Sequence, residues 1–177
     1  MTIRQASLDD KVAIARLHCD SWDQAFSEFA PDLVAARGDQ IVKRLEQWGM
    51  LLQDSALHTL VAVDANNQII GFAQGAHTRP ELNVPYDGEL LRLYVAPSHL
   101  GQGIGKRLIH RIACYLQEQG KQALLVAAWS INMPARAIYE HLGARFIKEI
   151  PQIENGFNSS QAVYVWDDIQ TIIEVTQ

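Results

Sequence analysis

The chain has 177 residues, 48% hydrophobic and 20% charged, which suits one packed domain over 1–177 and excludes a disordered or fibrous protein. A net charge of −5 and a pI near 5.6 lack the basic excess that a nucleic-acid-binding face needs, and no apolar run approaches the roughly 18–20 residues of a membrane span. MTIRQASLDD puts acids where a secretory leader needs an apolar stretch, and Cys19 and Cys114 are too few for a disulfide framework, so a cytoplasmic protein without nucleic-acid or membrane partners is expected. The six histidines are scattered, and no Cys/His group has zinc-ligand spacing, so no metal site is expected.

Thr2 to Ala6 reads as a short strand. Ser7, with Asp10 three residues on, starts a helix from about Asp9 to Phe26, with Ile14, Leu17, Ser21 and Ala25 in one stripe. Pro31 and Gly38 punctuate a loop. Asp39 is placed to cap a second helix, in which Ile41, Leu45, Trp48 and Leu52 recur at helical spacing. Leu57 to Asp64 and Gln68 to Ala76 form a hairpin around Ala65-Asn66-Asn67, because Asn tolerates positive φ in a tight turn. Arg79 to Gly88, with two prolines, reads as loop. A strand from Glu89 to Val95 follows, then a helix from about Gly103 to Gln119 that ends at Gly120.

Gln122 to Ala128 is almost entirely apolar, as a strand covered on both faces would be. Strand, helix, strand implies a parallel pair with a right-handed crossover. Asn132 caps the next helix, whose stripe is Ala135, Ile138, Tyr139 and Leu142, and Gly143 ends it. Phe146 to Ile150 and Ala162 to Trp166 pair around Asn155-Gly156. The tail from Asp168 fits a short helix or a strand.

Chemistry concentrates in Leu91–Leu108, LRLYVAPSHLGQGIGKRL. A buried strand passes through Ala96-Pro97-Ser98 and the glycines Gly101, Gly103 and Gly105 into a helix. Such a turn leaves backbone N–H groups pointing one way, a preformed anion site. A nucleotide-triphosphate loop ending at Gly105-Lys106 would need glycine at Leu100 and Ser/Thr at Arg107. A dinucleotide fingerprint starting at Gly101 would need glycine at Lys106. Neither fits.

The segment resembles instead the acetyl-coenzyme A loop of the GNAT N-acetyltransferase superfamily. Leu93-Tyr94-Val95-Ala96-Pro97 and Gly103-Ile104-Gly105 match its L-Y-V-x-P and G-x-[GA] elements, while the Arg or Gln of its [RQ]-x-x-G-x-[GA] falls on Leu100. Asn132-Met-Pro-Ala135-Arg-Ala-Ile138-Tyr139-Glu-His-Leu142-Gly143-Ala144 is similar to the family's N-x-x-A-x-x-[FY]-Y-x-x-x-G-F, with Ile138 and Ala144 in place of two aromatics. The resemblance is strong over Glu89 to Phe146.

The resemblance implies an α/β (α+β) GNAT fold: a mixed, mostly antiparallel sheet of six or seven strands, flanked by about four helices, with a splayed parallel strand pair. It implies acetyl-CoA as cosubstrate. Leu93, Tyr94, Val95, Gly101, Gln102, Gly103, Ile104, Gly105, Lys106, Asn132, Ala135 and Tyr139 are its expected contacts. Tyr139 would be the general acid toward the leaving thiolate, and Glu89 the base that takes a proton from the amine, directly or through water. Simple alternation puts Glu89 with Leu91 and Leu93, opposite Arg92 and Tyr94; a bulge, common in this strand of the family, would change that.

Trp22, Phe26, Tyr86 and Trp129 are candidates for the acceptor side, with Asp23, Glu28 and Asp87, since aromatics and acids suit a cationic amine. The expected activity is acetyl transfer to a primary amine of a small molecule by direct attack in a ternary complex. A protein N-terminus or lysine as acceptor, and a non-catalytic acyl-CoA sensor, remain as alternatives. A homodimer through the last strands would cover a sheet edge.

Overall fold

The structure is a computed structural model that describes residues 1–28, 30–37, 40–154 and 157–177. Strand β1 (Thr2–Gln5) leads through one 3-10 turn to helix α1 (Lys11–Ser27), followed by α2 (Pro31–Arg37) and α3 (Ile41–Leu51). Strands β2 (His58–Val63), β3 (Ile69–His77) and β4 (Gly88–Val95) precede α4 (Ile104–Glu118), β5 (Leu124–Trp129) and α5 (Met133–His141). Strands β6 (Arg145–Glu154) and β7 (Phe157–Trp166) and helix α6 (Ile169–Val175) complete the chain.

One seven-stranded sheet runs in the order β1-β2-β3-β4-β5-β7-β6, antiparallel except between β4 and β5. Helix α4 lies on one face with α5 and α6, where Leu108, Ile109 and Ile112 are fully buried. Each such side chain contributes about 1.5–3 kcal/mol of apolar burial. Helices α1 and α3 cover the other face, with Ile14, Trp48 and Phe72 at its centre. Gly75 allows α4 to sit against β3: a Cβ there would stand 2.7 Å from Ile112 Cγ2.

The hairpin turn forms as expected, with Asn67 at φ 62 and Asp64 Oδ1 accepting the N–H groups of Asn66 and Gln68. Six helices, rather than about four, flank the sheet among the described residues. One of the extra two lies where Pro31 suggests a loop. Proline suits the first position of a helix, and Leu33 packs under Trp22 and Phe26. The other is the tail, where Asp168 accepts the Gln170 N–H at 2.9 Å and Ile169, Ile172 and Ile173 bury on α4. The last two strands are longer than their apolar cores suggest, because polar residues from Asn158 to Gln161 still pair in the ladder. The Asp39 cap and the Asn155-Gly156 turn lie outside the described residues. Among the described residues, no helix is long and apolar enough to cross a membrane.

Candidate active site

The parallel pair is short. β4 and β5 are in register only at Gly88–Leu124, Glu89–Leu125 and Leu90–Val126, and beyond Leu90 they diverge. At the same point β4 carries a bulge against β3: Arg92 faces Gln74 and Leu90 faces Gly75, which leaves Leu91 as the extra residue. The bulge shifts the alternation. Leu90, Leu93 and Val95 pack toward α4, while Arg92 and Tyr94 face the other side of the sheet, and Glu89 falls on the Arg92 side. Simple alternation, which opposes Glu89 to Arg92 and Tyr94, is corrected here.

A cavity of about 750 Å³ opens on the α4 side. Leu93, Val95, Gly101, Gly103, Ile104, Gly105, Lys106, Ala135 and Tyr139 line it. Gly101 and Gly103 have φ of 75 and 74, the left-handed region that L side chains avoid. Nothing lies within 4 Å of a Cβ built on either, so a ligand has open access to the backbone there. Gly103 caps α4, whose first-turn N–H groups have no intrahelical acceptor. Backbone donors, a helix N-terminus and a long groove beside a splayed strand fit the pyrophosphate and pantetheine arm of a coenzyme A thioester. Leu100 borders the cavity and is 60% exposed. Gln102 is exposed and does not line the groove. Asn132 caps α5, its Oδ1 accepting the Ala135 N–H at 3.2 Å.

Tyr139 on α5 lines that cavity. It is 7% exposed and lies edge-on to Trp166 at 6.2 Å between centroids. Burial pushes its phenol above the ordinary value, and the nearby Tyr94 phenol adds to the rise. The group therefore stays protonated and able to donate through the neutral and alkaline range.

A second cavity, about 620 Å³, lies on the opposite face of β4. Its walls come from α1 (His18, Trp22), α3 (Arg44, Leu51), β4 (Leu91, Arg92, Tyr94), β5 (Ala127, Trp129), the loop Thr78–Pro80 and Gln161. Trp129 packs edge-on to Phe26 at 5.4 Å and to Trp22 at 6.2 Å. Phe26 is 2% exposed and lines no part of this cavity, so it supports Trp129 from behind. The Trp48 indole donates to His18 Nδ1 at 3.2 Å, which leaves the ring proton of a neutral His18 on Nε2.

Several residues expected on the acceptor side lie elsewhere. The Tyr86 hydroxyl donates to Asp167 at 3.0 Å and accepts from Arg145 at 3.1 Å, and it borders neither cavity. The Asp87 carboxylate accepts the backbone N–H groups of Gln122 and Ala123 at the start of β5. Glu89 is 0% exposed. It accepts from Arg79 Nη2 at 2.7 Å, Nε at 3.0 Å and the Arg79 backbone N–H at 3.0 Å. Arg79 lines the second cavity and Glu89 does not, so the carboxylate is covered by its partner. Sequence reasoning passed over Arg44, Thr78, Arg79 and Arg92; a cation in the middle of an apolar strand, Leu91-Arg92-Leu93, was the available signal.

The sequence and the fold are similar to those of other proteins. The Bacillus subtilis protein YuaI, named an uncharacterized N-acetyltransferase, is 27% identical over 174 residues, covering 97% of this chain and 96% of its own. The structure of yncA, an acetyltransferase from Salmonella typhimurium with its cofactor acetyl-CoA, superposes with a TM-score of 0.68 at 23% identity, covering 94% of this chain and 92% of that one. That of paiA N-acetyltransferase from Thermoplasma acidophilum in complex with coenzyme A superposes with a TM-score of 0.69 at 18% identity, covering 91% and 96%. The model of the acetyltransferase (GNAT) family matches residues 20–144, the segment that holds the C-terminal part of α1, both cavities' β4 walls, the glycine turn and Tyr139, and the chain belongs to that family.

Proposed function

We propose that the chain transfers the acetyl group of acetyl-CoA to a primary amine of a small molecule, by direct attack within a ternary complex. The observation that carries this is a pair of cavities on opposite faces of one diverging strand, with Leu93 and Val95 on the coenzyme side and Arg92 and Tyr94 on the acceptor side. A small acceptor is favoured because its cavity is walled by α1, α3, β4, β5 and the Thr78–Pro80 loop, and its size is that of a small-molecule site.

Acetyl-CoA, when bound, supplies an activated acetyl thioester. Gly101, Gly103, Gly105 and the N-terminus of α4 hold the pyrophosphate through backbone N–H groups, and Lys106 adds charge at the rim. The free edge of β4 beyond Leu90 pairs with the pantetheine arm, and an N–H of that edge polarises the thioester carbonyl. Tyr139 gives its proton to the sulfur as the C–S bond breaks. The amine gives its proton to cavity water. Direct transfer to Glu89 is not part of this scheme, because Arg79 occupies that carboxylate. His18 Nδ1 is also committed, to Trp48. Glu89 acts by fixing Arg79 in the cavity wall.

The test is release of coenzyme A thiol from acetyl-CoA against a mixed panel of polyamines, amino acids, aminoglycosides and short peptides. Turnover of one or more small amines, with the acetylated product identified by mass, is the expected result. Binding of acetyl-CoA with no thiol released against any amine would overturn it.

A further inference from the structure

The acceptor cavity is positively charged, although the chain as a whole carries −5. Among the described residues its charged walls are Arg44, Arg79 and Arg92, and no carboxylate lines it. Arg79 is balanced by Glu89. Arg92 is not balanced in that way: its Nη1 donates to the neutral Gln74 amide oxygen, and its guanidinium lies 5.8 Å from the centre of the Trp48 ring. A guanidinium has five N–H donors. Gln74 takes one of them among the described residues, and Arg92 lines the cavity with donors left for a ligand.

The support beneath Arg92 is rigid. Gln74 is 0% exposed, and its Nε2 donates to Thr59 Oγ1 at 2.9 Å, which fixes the amide oxygen toward Arg92. Trp48 is also 0% exposed. The fork is thus preorganised, the arrangement that suits bidentate capture of a planar anion. A second polar group points the same way. Thr78 is 6% exposed and lines the cavity, and its buried Oγ1 has no hydrogen-bond partner among the described residues. A buried hydroxyl left unpaired is costly, and a ligand group that reaches it removes that cost.

We infer that the acceptor is an amine that also carries a carboxylate, held by Arg92 and Thr78 with Arg44 and Arg79 at its flanks. This rests on the acetyl-transfer scheme above and narrows its acceptor. Arg92 and Tyr94 share a face two residues apart, roughly 6–7 Å along a strand. Tyr94 lies on β4 beyond its divergence from β5, where the scheme above places the thioester. A carboxylate on Arg92 therefore sets the amine a few bonds away at the reacting carbon, the spacing of an amino acid. A polyamine would meet the Arg92 guanidinium instead, which repels it.

The experiment compares matched trios of L-amino acid, its carboxamide and its decarboxylated amine as acceptors with acetyl-CoA. Expected is a kcat/KM at least tenfold higher for the acids than for their carboxamides. Arg92→Gln should bring that ratio close to one, and Arg92→Lys, which keeps charge but loses the fork, should fall between. Melting curves of the variants check folding, and the comparison on the unaltered protein needs no variant. Carboxamides or decarboxylated amines that react as well as the acids, or acids that do not react while other amines do, would overturn the inference and leave acetyl transfer standing. Absence of thiol release with every amine, uncharged and cationic ones included, is instead the failure of acetyl transfer itself.

Discussion

The Arg79 guanidinium closes over the Glu89 carboxylate, with Nη2–Oε1 at 2.7 Å, while the Arg79 backbone N–H reaches Oε2 at 3.0 Å. Glu89 is fully buried, whereas the Arg79 side chain is 37% exposed. One partner is therefore desolvated and the other reaches the acceptor cavity. Removing one member of a buried pair strands the other and costs about 3–5 kcal/mol, and the low end applies where one side chain touches solvent. Glu89→Gln should lower stability by about 3 kcal/mol and the melting temperature by roughly 6–12 °C. Acetyl transfer measured well below that melting point should stay within about tenfold of the starting enzyme, less than loss of a general base removes. A loss beyond about a hundredfold with an unchanged melting temperature would restore Glu89 as the base.

Tyr139→Phe removes a single hydroxyl from the wall between coenzyme cavity and core. Turnover should fall at least about tenfold, the lower range for loss of a general acid, while acetyl-CoA binding measured by titration is unchanged. The pH profile gives a second check. Burial raises the Tyr139 pKa above the ordinary phenol value. The acid form is then intact up to and beyond the ordinary phenol pKa of about 10, so the alkaline fall of kcat should not begin below pH ~10 on account of this group. The linkage sign agrees: the folded state holds the proton more tightly than the unfolded one, so this group's contribution to stability is complete below pH ~10 and declines above it. Turnover that survives in Tyr139→Phe would remove it as the acid.

Much of this site can be read from local sequence. The strand, glycine turn and helix of Leu91–Leu108 appear where the spacing puts them, because turn conformation is a local property of glycine. Asn132 caps α5 for the same reason. The acceptor face is different. Whether Glu89 lies beside Arg92 depends on a bulge opposite Gln74 and Gly75, and no local pattern in β4 contains the register of β3. Tyr86 and Asp87 have the chemistry of substrate contacts, yet Asp167, Arg145 and the N–H groups of β5 take them, and those partners lie 35 or more residues away. The seven residues of Pro31–Arg37 are too few for a clear helical period; packing of Leu33 under Trp22 decides the helix there.

Gly103 tests the phosphate cradle. Its φ of 74 is tolerable for glycine and costs an L residue roughly 1–2 kcal/mol. Nothing stands within 4 Å of an added Cβ, so Gly103→Ala meets no protein atom. The strain and the methyl group both act on the coenzyme side. The KM for acetyl-CoA should rise by about tenfold, with the KM of the amine nearly unchanged. An equal change in both would place the glycine's role in the fold rather than in coenzyme binding, and calorimetric titration with coenzyme A separates the two.

Leu100 offers the reverse experiment, a gain. It borders the coenzyme cavity at 60% exposure, next to Gly101, so a longer polar side chain there displaces no core. Leu100→Arg would set a guanidinium beside the anion site at the N-terminus of α4. A charge-assisted hydrogen bond is worth about 1.5–3 kcal/mol, and solvent and salt reduce that at an exposed position to about 0.5–1 kcal/mol. The KM for acetyl-CoA should therefore fall about two- to fivefold, with kcat moving less. The gain should shrink in about 1 M salt, where the screening length drops to about 3 Å. Acetyl-CoA analogues shortened to the pantetheine thioester lack the pyrophosphate and should show no gain. If they do gain, the added arginine acts on something other than phosphate, and the pyrophosphate does not lie on the Gly101–Gly105 turn.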